Sequence, residues 1–192
     1  MDDDSFIFEV NEQFHQKKID YKLAQDLLYD MTNRKKRFQV FIALYDATLK
    51  NNPTIAAKVF REAYCSSDNI HNQIKNSKFP FNLKLFLKSI QTQGVNFIEL
   101  MNDDEREFYN SLPSQIRIYR GLCEAEYKSR DFGISWSITE NEAEQYAYFH
   151  QNDVEDGKGR LLYLDICKED IFTVFSVHTY DKVMHEIIYI SK

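Results

Sequence analysis

The sequence predicts an α+β protein: a helical first half, followed by a split sheet of mixed or antiparallel strands. Three features carry that expectation. Apolar residues recur at helical spacing from residue 5 to about residue 112. After Pro113 the apolar runs become short, β-branched and aromatic. A single helical stretch, Glu140–His150, interrupts them. No internal repeat or low-complexity tract is visible. The organisation expected is a helical region over 1–112 that packs on a core over 113–192 and forms one wall near Arg120.

Within the first half, Phe38, Phe41, Ile42, Tyr45 and Leu49 lie on one helical face. Asn52-Pro53 then reads as an N-cap followed by a first-turn proline. It opens a helix with Ile55, Ala56, Val59, Phe60 and Tyr64 on its buried side. Leu83, Phe86, Leu87 and Ile90 repeat the pattern, and Gly94 is placed to end that helix. Asp103-Asp104-Glu105 puts acids at the start of another short helix, where the dipole favours them, and Pro113 closes it. The run Arg34-Lys35-Lys36-Arg37 reads as a solvated helix start, with an acidic partner or a nucleic acid as the sharper alternative.

In the second half, strands are expected at Gln115–Arg120, Ile134–Ile138, Arg160–Ile166, Ile171–Val177 and Val183–Ile190, with Asp156-Gly157-Lys158-Gly159 as a turn. In the intervening helix Ala143, Tyr146, Ala147 and His150 share a face. Thr139 reads as its N-cap, with Glu142 three residues on.

Composition limits the function classes. A chain of 192 residues can bury a core without a metal or disulfide staple. With only 5 Gly and 3 Pro, long disordered linkers are not expected. The 3 cysteines, Cys65, Cys123 and Cys167, have no metal-ligand spacing and read as reduced thiols, so no metal site is expected. Residues 1–112 carry 15 basic and 16 acidic side chains and residues 113–192 carry 9 and 14, so the net charge of −6 is concentrated in the second half. That argues against a broad nucleic-acid surface, which needs clustered cations. A single phosphate-bearing small ligand needs only one or two. The start Asp2-Asp3-Asp4 lacks the pattern of a signal peptide, and no apolar run is long enough to span a membrane. A cytoplasmic monomer that does not touch membrane is the expectation.

Three distant segments carry candidate chemistry. In Ile116–Arg120, Arg120 ends a strand face shared with Ile116 and Ile118, and Gly121 follows. An arginine there can fork onto phosphate or carboxylate oxygens, and a glycine lets backbone approach a ligand closely. In Gly133-Ile134-Ser135-Trp136-Ser137 the two hydroxyls share one face and the indole takes the other. In the last strand Met184, Glu186, Ile188 and Ile190 share a face, and a carboxylate among such neighbours is costly unless something hydrogen-bonds it. Each also has an ordinary reading: a strand-end arginine with a turn glycine, a half-buried strand with a core tryptophan, and an edge strand whose Glu186 faces water. His185 points away from Glu186 and reads as a packing histidine. His150 ends a helix, and His178 sits ahead of the final strand.

The order Tyr119-Arg120-Gly121, Gly133-x-Ser135-Trp136-Ser137, Ala143-x-x-Tyr146-Ala147-x-Phe149 and a late strand with one Glu resembles the mono-ADP-ribosyltransferase family. More specifically it is similar to the Arg-Ser-Glu branch of cholera-like and clostridial toxins and phage enzymes. The resemblance covers roughly residues 115–190. It implies an NAD⁺-dependent transferase of the glycosyltransferase class, with NAD⁺ as co-substrate, no metal, and a protein target of modification. A bacterial or phage effector, acting in the cytoplasm or inside a host cell, fits the same resemblance.

The resemblance also implies roles. Arg120 holds the NAD⁺ phosphate. The Gly121 backbone bonds the nicotinamide carboxamide. Ser135 orients the catalytic carboxylate, Glu186, which bonds the ribose 2′-OH. Trp136 and Ser137 belong to the same cofactor-binding stretch. Phe149 walls the nicotinamide pocket, and Tyr180 lies in the acceptor-recognising loop. Family members that modify arginine carry a second Glu two residues before the catalytic one, and several others carry Gln. Here the position is Met184, which can neither deprotonate a guanidinium nor bond an amide, so the resemblance argues against an arginine acceptor. A non-catalytic nucleotide- or partner-binding module, and a purely structural α+β domain, remain open beside it.

Overall fold

A computed structural model describes residues 2–148, 159–178 and 183–191. They form two compact units, Met1–Asn96 and Phe97–Lys192. Residues 97–112, read from the sequence with the helical half, therefore belong to the strand-bearing unit. Among the described residues no helix is long and apolar enough to cross a membrane.

The first unit is helical: α1 (Asp3–Phe14), α2 (Tyr21–Asp30), α3 (Arg34–Ala47), α4 (Pro53–Ser66), α5 (Ile70–Lys75) and α6 (Leu83–Thr92). Each begins at an Asp or Asn, namely Asp2, Asp20, Asn33, Asn52, Asn69 and Asn82, whose side-chain oxygen accepts from a first-turn N–H. These caps satisfy donors that the helix itself leaves orphaned. At Asn52 the cap accepts from Ile55 N at 3.2 Å, with Pro53 in the first turn as expected. Asn52→Ala should cost about 1 kcal/mol and lower the melting temperature by roughly 2–4 °C, read by circular dichroism.

The sequence gives α3 a single apolar stripe, but it is buried on nearly every side from Phe38 to Leu44. It packs against α1, α2, α4 and α5, which makes it the central helix of its unit. Phe38, Phe41, Phe60, Phe81 and Phe86 meet around it with ring centroids 5.0 to 6.1 Å apart. Three residues of the basic run at its start are engaged locally. Lys36 pairs with Asp4, Arg34 with Asp68, and Arg37 donates to the carbonyls of Met31 and Ser66. Gly94 adopts φ +86° just after α6, the left-handed stop expected of it.

The second unit runs α7 (Asp103–Ser111), β1 (Gln115–Cys123), α8 (Glu124–Ser129), β2 (Ser135–Trp136), α9 (Glu140–Tyr148), β3 (Gly159–Cys167), β4 (Thr173–His178) and β5 (Val183–Ile188). The strands divide between two small antiparallel sheets, β1-β3 and β2-β5-β4. Every described ladder is antiparallel, so the mixed alternative does not arise among these residues. One bridge joins the sheets: Tyr119 and Ser137 exchange backbone hydrogen bonds at 2.7 and 2.8 Å. One core cluster of this unit includes Ile116, Ile118, Leu122, Trp136, Val174, Ile187 and Tyr189, and Phe175, Met184 and Ile188 are buried on the opposite face of the three-stranded sheet.

Two helices fix the strands. Fully buried Glu105 of α7 accepts from Asn102 N, closing a capping box, and from Ser176 N of β4, each at 2.8 Å. His185 of β5 stacks on Phe108 with centroids 4.1 Å apart, and its Nε2 meets Asp104 at 2.9 Å. His185 is thus a packing residue, as its strand parity suggested. On the other side, α9 lies across β1 and β3 and buries Ala143 and Ala147. Tyr146, expected on that buried face, is instead 42% exposed.

Candidate functional site

Arg120, Ser135 and Glu186 come from β1, β2 and β5, which are neighbours through the Tyr119–Ser137 bridge and the β2-β5 ladder. Ser135 pairs with Ile188 and Trp136 with Ile187. Carrying that antiparallel register one residue further brings Ser137 level with Glu186. Opposite residues on paired strands point to the same face, so both serines and Glu186 share one side of the sheet. Trp136 takes the other.

Arg120 is anchored tightly. Its Nε and Nη2 donate to Glu126 of α8 at 2.7 and 3.3 Å, and its Nη1 donates to the Ser135 carbonyl at 2.6 Å. Glu126 also accepts from Gly133 N at 2.6 Å. Both side chains of the pair are less than one-fifth exposed, at 19% and 18%. A Cβ on Gly133 would come within 2.2 Å of Arg120 Nη2, so the glycine makes room for the guanidinium. The arginine thereby holds β1, the start of β2 and α8 together, and β1 runs past it to Cys123 rather than ending there as the sequence suggested. These bonds engage three of its five N–H groups.

Gly121 does not open the backbone to a ligand on its side-chain face. A Cβ there would lie 2.0 Å from the Ala143 carbonyl oxygen and 2.5 Å from the Ala147 nitrogen. The glycine admits α9. Trp136, 2% exposed, packs edge-on against Phe132 and Tyr189 in the core, where its indole offers no platform to the side occupied by Glu186. Met184 is 8% exposed. Glu186 is half-buried, paired with Phe175 across the ladder and flanked on its own face by Met184 and Ile188, all three buried. Phe149, His150 and Tyr180 lie outside the described residues, as do the first three residues of the expected 156–159 turn.

Two residues of α9 that the sequence did not mark as functional are tied to this face, Glu142 through Ser137 and Tyr146 through the charge of Glu186. The Ser137 hydroxyl donates to Glu142 Oε2 at 2.7 Å and accepts from Thr139 N at 3.0 Å. Tyr146 follows Glu142 by one helical turn. Loss of surrounding water, and then the negative charges of Glu186 and Glu142, push its phenol up to about 12. Tyr146 therefore senses both carboxylates while much of its ring stays open. The sequence signal for this pair was available: Glu142 and Tyr146 at i and i+4 in the helix directly after the Ser-Trp-Ser stretch. By its spacing alone Glu142 reads only as a cap partner of Thr139. The partner of Arg120, Glu126, had no signal, because the helix that carries it was not expected.

No protein-family model, curated protein or solved structure matches the chain.

Proposed function

We propose that the second unit is an NAD⁺-dependent mono-ADP-ribosyltransferase that passes ADP-ribose to a macromolecular target, a protein in this reading, and releases nicotinamide. The observation that carries the proposal is the placement of three sequence-distant residues, Arg120, Ser135 and Glu186, on adjacent strands, with the guanidinium bonded to the Ser135 carbonyl and both serines and the half-buried carboxylate on one side of the sheet. In this reading Arg120 grips a phosphate oxygen with the N–H groups that Glu126 and Ser135 leave unused. Glu186 faces the ribose next to nicotinamide. As the glycosidic bond breaks, positive charge develops on C1′, and a fixed carboxylate stabilises it more than water would. The chemistry is related to the electrostatic half of glycoside hydrolysis.

A structural reading is favoured by one observation, the clasp of Arg120 on Glu126 and Ser135, which would hold the strands together with no ligand at all. The two readings part on a single measurement. Purified protein incubated with NAD⁺, alone and with cell lysate, is followed by chromatography for nicotinamide and by mass spectrometry for an added ADP-ribose. Release of nicotinamide above the buffer rate supports the transferase. No release and no modified protein across lysates of several sources overturns it and leaves the structural reading.

A further inference from the structure

We propose that Glu142 is a second working carboxylate of this site, the base that takes the proton from the acceptor as its bond to the ribose forms. The inference rests on the transferase reading above and adds to it a residue that the strand bearing Glu186 does not supply.

The strand itself has no such base. Met184, two residues before Glu186 on the same face, carries a thioether and is buried. An acidic candidate comes from the helix instead. Glu142 sits in the first turn of α9, where a negative charge is favoured by the helix dipole. It is half-buried, and its position is set from outside the helix. The Ser137 hydroxyl donates to Oε2 at 2.7 Å, while the same hydroxyl accepts from Thr139 N at 3.0 Å and lies 3.3 Å from Thr139 Oγ1. A hydroxyl has one proton, and here it is committed to Glu142. Ser137 is therefore a strut that aims Glu142, and the residue directly before it pairs with the strand of Glu186. The charges of Glu186 and Glu142 both act on the Tyr146 phenol.

The step balances as follows. The acceptor lone pair forms a bond to C1′. The C1′–N bond to nicotinamide breaks, and its electrons stay on the nicotinamide nitrogen, which loses its positive charge. The acceptor proton passes to Glu142 and then to solvent. With water as acceptor, NAD⁺ and water give ADP-ribose, nicotinamide and one proton.

The test uses the full chain with NAD⁺ alone, so that water is the acceptor. Glu142→Gln keeps an oxygen for Ser137 but cannot take a proton. Its kcat should fall by about 10² or more, the usual contribution of a general base, with KM for NAD⁺ and the melting temperature unchanged. In Glu142→Ala, added formate or azide should restore turnover in proportion to its concentration. Turnover by Glu142→Gln equal to that of the parent protein overturns the assignment, as does a loss in Glu142→Ala that no small anion rescues. Parent protein that releases no nicotinamide brings down the transferase reading and this one with it. Active parent protein alongside equally active Glu142→Gln brings down only this one.

Discussion

Glu186→Gln should lower the rate of nicotinamide release by about 10²–10³ while leaving the fold intact. Removing one preorganised group aimed at developing transition-state charge costs about that much. Glutamine keeps the shape of the side chain and removes its charge, so the loss isolates the electrostatic contribution. The site tolerates the change on packing grounds. Glu186 stands beside buried Phe175, Met184 and Ile188, where a neutral amide of equal volume is easier to bury than a carboxylate. The melting temperature should therefore hold or rise. A group that acts only in the transition state moves kcat and kcat/KM together, so KM for NAD⁺ should change little. Steady-state kinetics on both proteins, with melting curves as the control, check this. An undiminished kcat would remove Glu186 from the mechanism. A collapsed melting curve would show that the carboxylate serves packing first.

Some of the secondary structure of both units was legible in the sequence for local reasons. The Asn52-Pro53 start, the Gly94 stop and the switch of period after Pro113 are each fixed by a few consecutive residues, and the structure shows all three. What lay beyond the sequence depends on partners far along the chain. The stripe on α3 looked one-sided because Gln39 reads as polar, yet Gln39 is buried and its side chain donates to the Gln73 carbonyl. The boundary between units moved to Phe97 because Glu105 reaches Ser176, a contact between residues distant in sequence. At the candidate site the residue types were readable and some of their surroundings were not. Arg120 looked like a ligand arginine at a strand end, and nothing local announced that Glu126 would clasp it. Tyr146 was assigned to the buried face of its helix by spacing alone. The alanines at 143 and 147 sit so close to the strands that the larger side chain is left outside.

Gly121→Ala should be among the most destabilising single substitutions in the second unit, at about 3 kcal/mol or more. Overpacking a well-fitted contact usually costs about 1–3 kcal/mol, and this contact has no soft side to yield. The added methyl would lie 2.0 Å from the Ala143 oxygen and 2.5 Å from the Ala147 nitrogen, both backbone atoms of α9. Trimming a neighbouring side chain cannot relieve such a collision, so the helix itself has to lift from β1. Gly159 on β3 is in the same position, with its added methyl 2.0 Å from the Ala147 oxygen. Together the two glycines form the shallow seat on which Ala143 and Ala147 rest. Lifting α9 would also carry Glu142 away from Ser137, so turnover should fall along with stability. Gly94→Ala is the informative control. That glycine has φ +86° and nothing within 4 Å of an added methyl, so its cost is conformational, about 1 kcal/mol. Thermal melts of the two variants separate the cases: a drop of roughly 6–12 °C is expected for Gly121→Ala on the usual scaling for chains of this size, and a clearly smaller one for Gly94→Ala. Hydrogen exchange should show the α9 amides opening first in Gly121→Ala. Equal melting temperatures for the Gly121→Ala and parent proteins, with turnover lost, would mean that the glycine is kept for a ligand rather than for the helix.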